Sequence, residues 1–253
     1  KYSAEYVFGT PEGLKLAVNA LYALQRYYAN DTENATIFAL ERGTDLAVTN
    51  GGTGNFYGIY DPNYLKPSAS QVGFMWRTMY QIIGKANEII AAAEDLEDTP
   101  SLRATVSEAK CFRAQSYFLL YRTFDRIWLN IQPTTAENVN DPRDFHAASE
   151  KEVFDLIYED LEYAITNLDW VSDEAGRFTQ AAARHMKAKA ALWLKDWDTT
   201  LEQVEEIEKS GHFDLIALNE VFNAGDLNHK EALMVQQWSK NPGGNLSNAT
   251  PKG

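Results

Sequence analysis

The sequence predicts an all-α, mainly helical chain, and three observations carry that expectation. Apolar residues recur at helical spacing through most of the 253 residues. Several such stretches open on Thr or Ser followed by Pro, or by Glu three residues later, which are helix-start signals. Little of the chain reads as strand.

The first helix is expected over 11–29, with Thr10 as N-cap, Pro11 at the first helical position and Leu14, Ala17, Val18, Leu21, Leu24 and Tyr28 in its apolar stripe. A second helical or extended piece is expected around 34–42. Residues 72–95 place Val72, Met75, Trp76, Met79, Ile83, Ala86, Ile90 and Ala93 on one face of a long helix. After EDLEDTP, the Thr99-Pro100 start opens a helix expected to run from about 101 to 127, with an apolar face that includes Ile127. Residues 129–148, with prolines at 133 and 142, read as an exposed loop.

Ser149 and Glu152 form a capping box for a helix to about 168. Thr179 caps the next, at 180–194, and a two-residue break leads to another at about 197–209, stopped by Gly211. EALMVQQW at 231–238 reads as a short strand or a buried turn. The expected architecture is thus antiparallel helix pairs with long irregular loops. The pair at 188–209 fits tetratricopeptide-like packing: Ala188 and Ala191 are its small positions, Trp193 and Trp197 are expected to fill the groove, and Asp196 or Asp198 caps the second helix.

Composition narrows the function. The formal charge of −13, without a Lys/Arg-rich stripe, repels phosphate backbones and anionic membrane surfaces, which excludes a nucleic-acid partner. A single cysteine, Cys111, allows neither an intramolecular disulfide nor a Cys-rich zinc site and reads as a small buried hydrophobe. No apolar run approaches the roughly 20 residues that span a bilayer. The start, KYSAEYVFGTPEG, lacks a methionine, a charged region and an apolar region, and the end, SKNPGGNLSNATPKG, is a polar loop. Both suggest a trimmed or cleaved product with any export signal removed.

Catalytic signatures are few. There is no HExxH, GxSxG or CxxC, and His146, His185, His212 and His229 lack metal-ligand spacing. We therefore expect no catalytic residue, no metal and no cofactor. Arg113 lies in an apolar helix, where an unpaired guanidinium is costly, so Glu108 or a carboxylate on a packed neighbour is its expected partner. Asn87, inside another apolar stripe, is expected to be a satisfied buried amide.

The stretch NGGTGNFYGIYDPNY at 50–64 is the most distinctive. Its glycines do not follow the dinucleotide spacing, and no lysine follows to hold a phosphate. Sugar binding fits better. The rings of Phe56, Tyr57, Tyr60 and Tyr64 offer faces for a pyranose, and Asn55, Asp61 and Asn63 offer hydrogen bonds to its hydroxyls. The alternative is a loop folded onto its own core or onto a partner protein.

Four stretches in order resemble the SusD/RagB family of outer-membrane nutrient-binding lipoproteins of Bacteroidetes. They are FMWRTMYQIIGKANEII (74–90), with Trp76, Tyr80, Ile83 and Asn87 at the family's spacing; EAKCFRAQSYFLLYRTF (108–124); RFTQAAARHMKAKAALWLKDWDTTLEQVEEIEKSGHFDL (177–215); and NHKEALMVQQW. Where the family continues with a Gly-x-x-Pro turn after Phe124, this chain has Asp125-Arg126-Ile127-Trp128. The resemblance implies a single SusD-like helical domain over 1–253 without the family's loop-rich C-terminal portion. It also implies a non-catalytic protein, held at the cell surface by a lipid anchor absent from this chain. Such a protein captures a polysaccharide or oligosaccharide and passes it to a SusC-like TonB-dependent transporter. The family's glycan contacts include the loop before its Trp-x3-Tyr helix, which corresponds to 50–64 by position. A tetratricopeptide-like protein-binding scaffold and an all-helical glycoside hydrolase are the alternatives.

Overall fold

The computed structural model describes residues 3–30, 70–142, 145–221 and 228–237. The chain divides into two compact units, one of residues 1–21 with 82–237 and one of residues 22–81 with 238–253. The described residues form eight helices and no strand. The piece expected around 34–42 and the stretch 50–64 lie outside the described residues.

Helix α1 (Ala4–Gly9) precedes the first expected helix and is capped by Ser3, whose hydroxyl accepts from the Tyr6 amide. Thr10 joins it to α2 (Pro11–Asn30): its hydroxyl donates to the Tyr6 carbonyl at 2.8 Å and accepts from the Gly13 amide at 3.1 Å. The expected stripe on α2 is buried at Leu14, Val18 and Leu21, while Ala17, Leu24 and Tyr28 are only half-buried.

Helix α3 (Ser70–Ala93) buries Met75, Met79, Ile83 and Ala86 of its expected face, but Val72, Trp76, Ile90 and Ala93 are only half-buried, and the enclosed side is shifted to take in Phe74, Thr78, Ile82 and Ile89. Helix α4 (Pro100–Thr123) starts as expected, with the Thr99 hydroxyl accepting from Leu102. It is buried nearly all round in its middle turns, from Thr105 to Ala114. It ends four residues before the expected 127. Phe124 turns extended and its amide closes onto the Leu120 carbonyl. Ile127 is buried as expected, but from irregular backbone, and its carbonyl accepts from Ala148 to close the 129–148 loop at its base.

Helix α5 (Glu150–Asn167) carries the expected capping box of Ser149 and Glu152. Thr179 caps α6 (Gln180–Leu194), which ends at Lys195 in the left-handed region, φ 61°. Asp196 caps α7 (Trp197–Lys209), and Gly211 follows it with φ 71°. A short α8 (Leu218–Val221) comes next. Successive helices pack on one another, α4 on α5, α5 on α6 and α6 on α7, as in a helical-repeat stack. Ala188 and Ala191 are enclosed as expected, which lets the helices approach closely. Trp193 and Trp197 are not: both stand about half exposed, and the enclosed side of α7 is formed by Gln203 and Ile207, with Gln203 accepting from Arg184 of α6. Residues 231–237 form no strand, and Trp238 lies outside the described residues.

Candidate functional site

The interior of the larger unit holds a buried polar network. Arg113 donates from Nε to Asp160 Oδ2 and from Nη2 to Oδ1, each at 2.8 Å. Lys110 donates to the same Oδ1 at 2.8 Å, and Arg113 Nη1 donates to Asn87 Oδ1 at 2.8 Å. Burial pulls the Arg113 guanidinium down, but the bond to Asp160 and its charge outweigh this, so its pKa is raised. The partner of Arg113 is thus the packed-neighbour carboxylate of the two expected options, and Glu108 instead meets Arg177 at 3.3 Å.

Asn87 is the satisfied amide the sequence predicts. Its Nδ2 donates to the Asn130 carbonyl at 2.7 Å, while the Tyr117 hydroxyl accepts from the Asn130 amide and donates to its carbonyl. The network pins the chain leaving α4 and has no open face for a ligand, since Asp160, Asn87 and Tyr117 are all buried. Cys111 is buried beside it, and burial first, then Asp160 and Glu108, push its thiol well above the usual range.

The same unit bears an open cleft of about 280 Å³, walled by the α5–α6 loop on one side and by residues from 212–213 and 228–235 on the other. Trp170 stacks on His212 at 6.3 Å, and the Arg184 guanidinium lies 5.3 Å from the Trp170 ring. The loop is held by Arg177, which meets Glu108 and Glu174, and by the Lys15–Glu174 pair. At Gly176, φ 88°, an added Cβ would stand 3.1 Å from the Val235 carbonyl oxygen, so this loop closes tightly on the 235–237 segment. The cleft offers an aromatic surface and hydrogen-bonding groups, including Thr179, His212 and Lys230. No local pattern marks it, since its walls come from residues 170–179, 212–213 and 228–235, stretches well separated along the chain. Among the described residues no group of three or more His, Cys, Asp or Glu could hold a metal. None of the described helices is long and apolar enough to cross a membrane.

The sugar-contact candidates Asn55, Phe56, Tyr57, Tyr60, Asp61, Asn63 and Tyr64 all lie outside the described residues. What is described is the base from which their stretch leaves and to which it returns. In the smaller unit, Phe74 near the start of α3 meets Tyr27 edge-on at 5.6 Å and stacks on Tyr28 at 6.1 Å near the end of α2. Both ends of the connection thus rise from one aromatic clasp. Two residues further along α3, Trp76 packs on Tyr80 at 4.8 Å.

The larger unit is thus a helical-repeat stack, and the smaller holds an aromatic clasp between α2 and α3. The chain belongs to the SusD-like family: the family model described as starch-binding associating with outer membrane matches residues 16–192. A SusD-like protein of Bacteroides ovatus is 26% identical over 212 residues, which is 74% of this chain and 38% of that protein. The chain spans about two fifths of the length of the curated relatives it matches. Among solved structures, one determined with a xylogluco-oligosaccharide aligns with a TM-score of 0.74 at 22% identity, over 89% of this chain and 46% of that one. A laminarin-binding SusD-like protein aligns with a TM-score of 0.69 at 24% identity, over 84% and 49%. These likenesses show the fold.

Proposed function

We propose that this chain belongs to a non-catalytic, lipid-anchored binding protein of the cell surface that captures a glycan and passes it to a SusC-like TonB-dependent transporter. The observation that carries this reading is the family match across 16–192, which includes most of α2, all of α3 and the 50–64 stretch between them. Support also comes from two structural neighbours, one binding laminarin and one determined with a xylogluco-oligosaccharide. The contacts we assign to the ligand are Phe56, Tyr57, Tyr60 and Tyr64 for stacking and Asn55, Asp61 and Asn63 for hydroxyl groups.

The test is calorimetric titration of the full-length protein with laminarin and xyloglucan oligosaccharides, repeated on Tyr57→Ala and Tyr60→Ala. Each substitution is expected to weaken binding about tenfold, the equivalent of about 1.4 kcal/mol. Binding that both variants retain in full would remove the 50–64 assignment. Absence of binding to any polysaccharide would remove the glycan reading itself.

A further inference from the structure

The polar network inside the larger unit joins three helices through one guanidinium. Arg113 of α4 forks onto Asp160 of α5 through Nε and Nη2 and reaches Asn87 of α3 through Nη1, each at 2.8 Å. Lys110, one turn back on α4, shares Asp160 and lies 5.2 Å from the Tyr163 ring of α5. Tyr121 near the end of α4 bonds to Glu150 at the start of α5, so the two helices run antiparallel and the ion pairs sit well inside both.

The apolar contacts around this network mark poorly where α4 lies along α5. The buried middle turns of α4 carry Ser107, Ala109, Cys111, Ala114 and Ser116, side chains too small to raise deep ridges. The buried face of α5 is Val153, Phe154, Ile157, Leu161, Ala164 and Ile165, with Asp160 as its one polar member. The polar groups, by contrast, are not interchangeable. A slide of one turn, about 5.4 Å, takes either Lys110 or Arg113 off Asp160 and parts Arg113 from Asn87. Among the described residues, α5 has no second buried carboxylate and α3 no second buried amide to receive them.

Buried charges give up water, and well-packed apolar side chains of similar volume often stabilise a fold as well or better. We propose that the network is a register key: it fixes how α4 lies along α5 and adds no stability that apolar side chains could not supply. Setting register is the best-attested use of buried polar groups between helices. The competing source of register is the Phe154 ring of α5, which meets Phe118 edge-on at 6.1 Å and Tyr121 at 5.2 Å on α4.

The experiment compares the full-length parent with a network-free variant that combines Asn87→Leu, Lys110→Met, Arg113→Met and Asp160→Leu. Tyr117 stays, so the Asn130 carbonyl keeps a hydrogen bond. Urea unfolding gives the midpoint of each protein. Spin labels at Ser101→Cys and Lys151→Cys, both exposed positions, report the distance from the start of α4 to the start of α5 by electron–electron double resonance. Both proteins carry Cys111→Ala, so that no third thiol is labelled. The parent is expected to show one narrow distance. The network-free variant is expected to unfold at a midpoint no lower than the parent's, yet to show at least one further distance displaced by about 5 Å, the rise of one turn. A single narrow distance at the parent's value in that variant overturns the proposal and assigns register to Phe118, Tyr121 and Phe154. A midpoint below the parent's, or failure to fold, overturns it as well, because the network then supplies stability that apolar residues cannot. Several distances in the parent itself would equally overturn it, since no register is then fixed.

Discussion

Arg113 holds Asp160 in a two-pronged ion pair, Nε and Nη2 each donating across 2.8 Å, with Asp160 fully enclosed. Lys110 adds a second cation to the same carboxylate. Asp160→Asn keeps the shape but leaves two buried cations without their counter-charge. Loss of one partner of a buried pair costs about 3–5 kcal/mol. Urea unfolding is expected to show that loss, whereas Asp155→Asn, which breaks the exposed Lys151–Asp155 pair, is expected to shift stability by less than about 1 kcal/mol. Equal midpoints for Asp160→Asn and the parent would refute a structural role for the network.

Cys111 sits against that network with no solvent contact, and burial raises its pKa, so the thiolate that reacts is scarce. Ellman's reagent is expected to label no thiol in the native protein and one after denaturation. Labelling of Cys111 at the same rate in both states would show that α4 opens readily.

Helix starts were legible because each is written in adjacent residues: Thr99 with Pro100, Ser149 with Glu152, and Thr179 and Asp196 as caps. Ends were less so. Ile127 keeps the helical spacing of α4 yet is buried from irregular backbone, since periodicity reports burial and not hydrogen bonding. The six-residue α1 is too short to show a period at all. Tetratricopeptide-like packing of the 188–209 pair puts Trp193 and Trp197 inward, but which side of a hairpin meets a neighbour is decided by elements absent from the local pattern. The Arg113 partner lay 47 residues away, beyond any helical spacing. The ligand candidates at 50–64 were legible only as residue types, since nothing local fixes the path of such a loop.

Glu174 joins Lys15 and Arg177, and hydrogen bonds to both, with their charges, hold its carboxyl below the usual carboxylate range. A depressed folded-state pKa contributes stability that is present above the unfolded value, about 4.3 for Glu, and is lost as pH falls through the folded value. Glu174→Gln is therefore expected to lower the melting temperature slightly at neutral pH, by the equivalent of less than about 1 kcal/mol because the group is exposed. Below the folded pKa the difference should vanish. A gap that widens on acidification would contradict the assignment.

Two glycines make opposite predictions under the same substitution. At Gly13 an added Cβ would stand 2.2 Å from the Tyr6 carbonyl oxygen and 2.6 Å from that of Val7, and backbone on that side cannot yield without moving α1. Gly13→Ala is expected to cost about 1–3 kcal/mol, as overpacking does. At Gly84, in the middle of α3, an added Cβ meets nothing within 4 Å. Gly84→Ala there removes backbone freedom from the unfolded chain and is expected to stabilise by about 0.5–1 kcal/mol. The two urea midpoints should therefore move in opposite directions. A midpoint for Gly13→Ala at or above that of the parent would show that α1 does not pack against α2 as described.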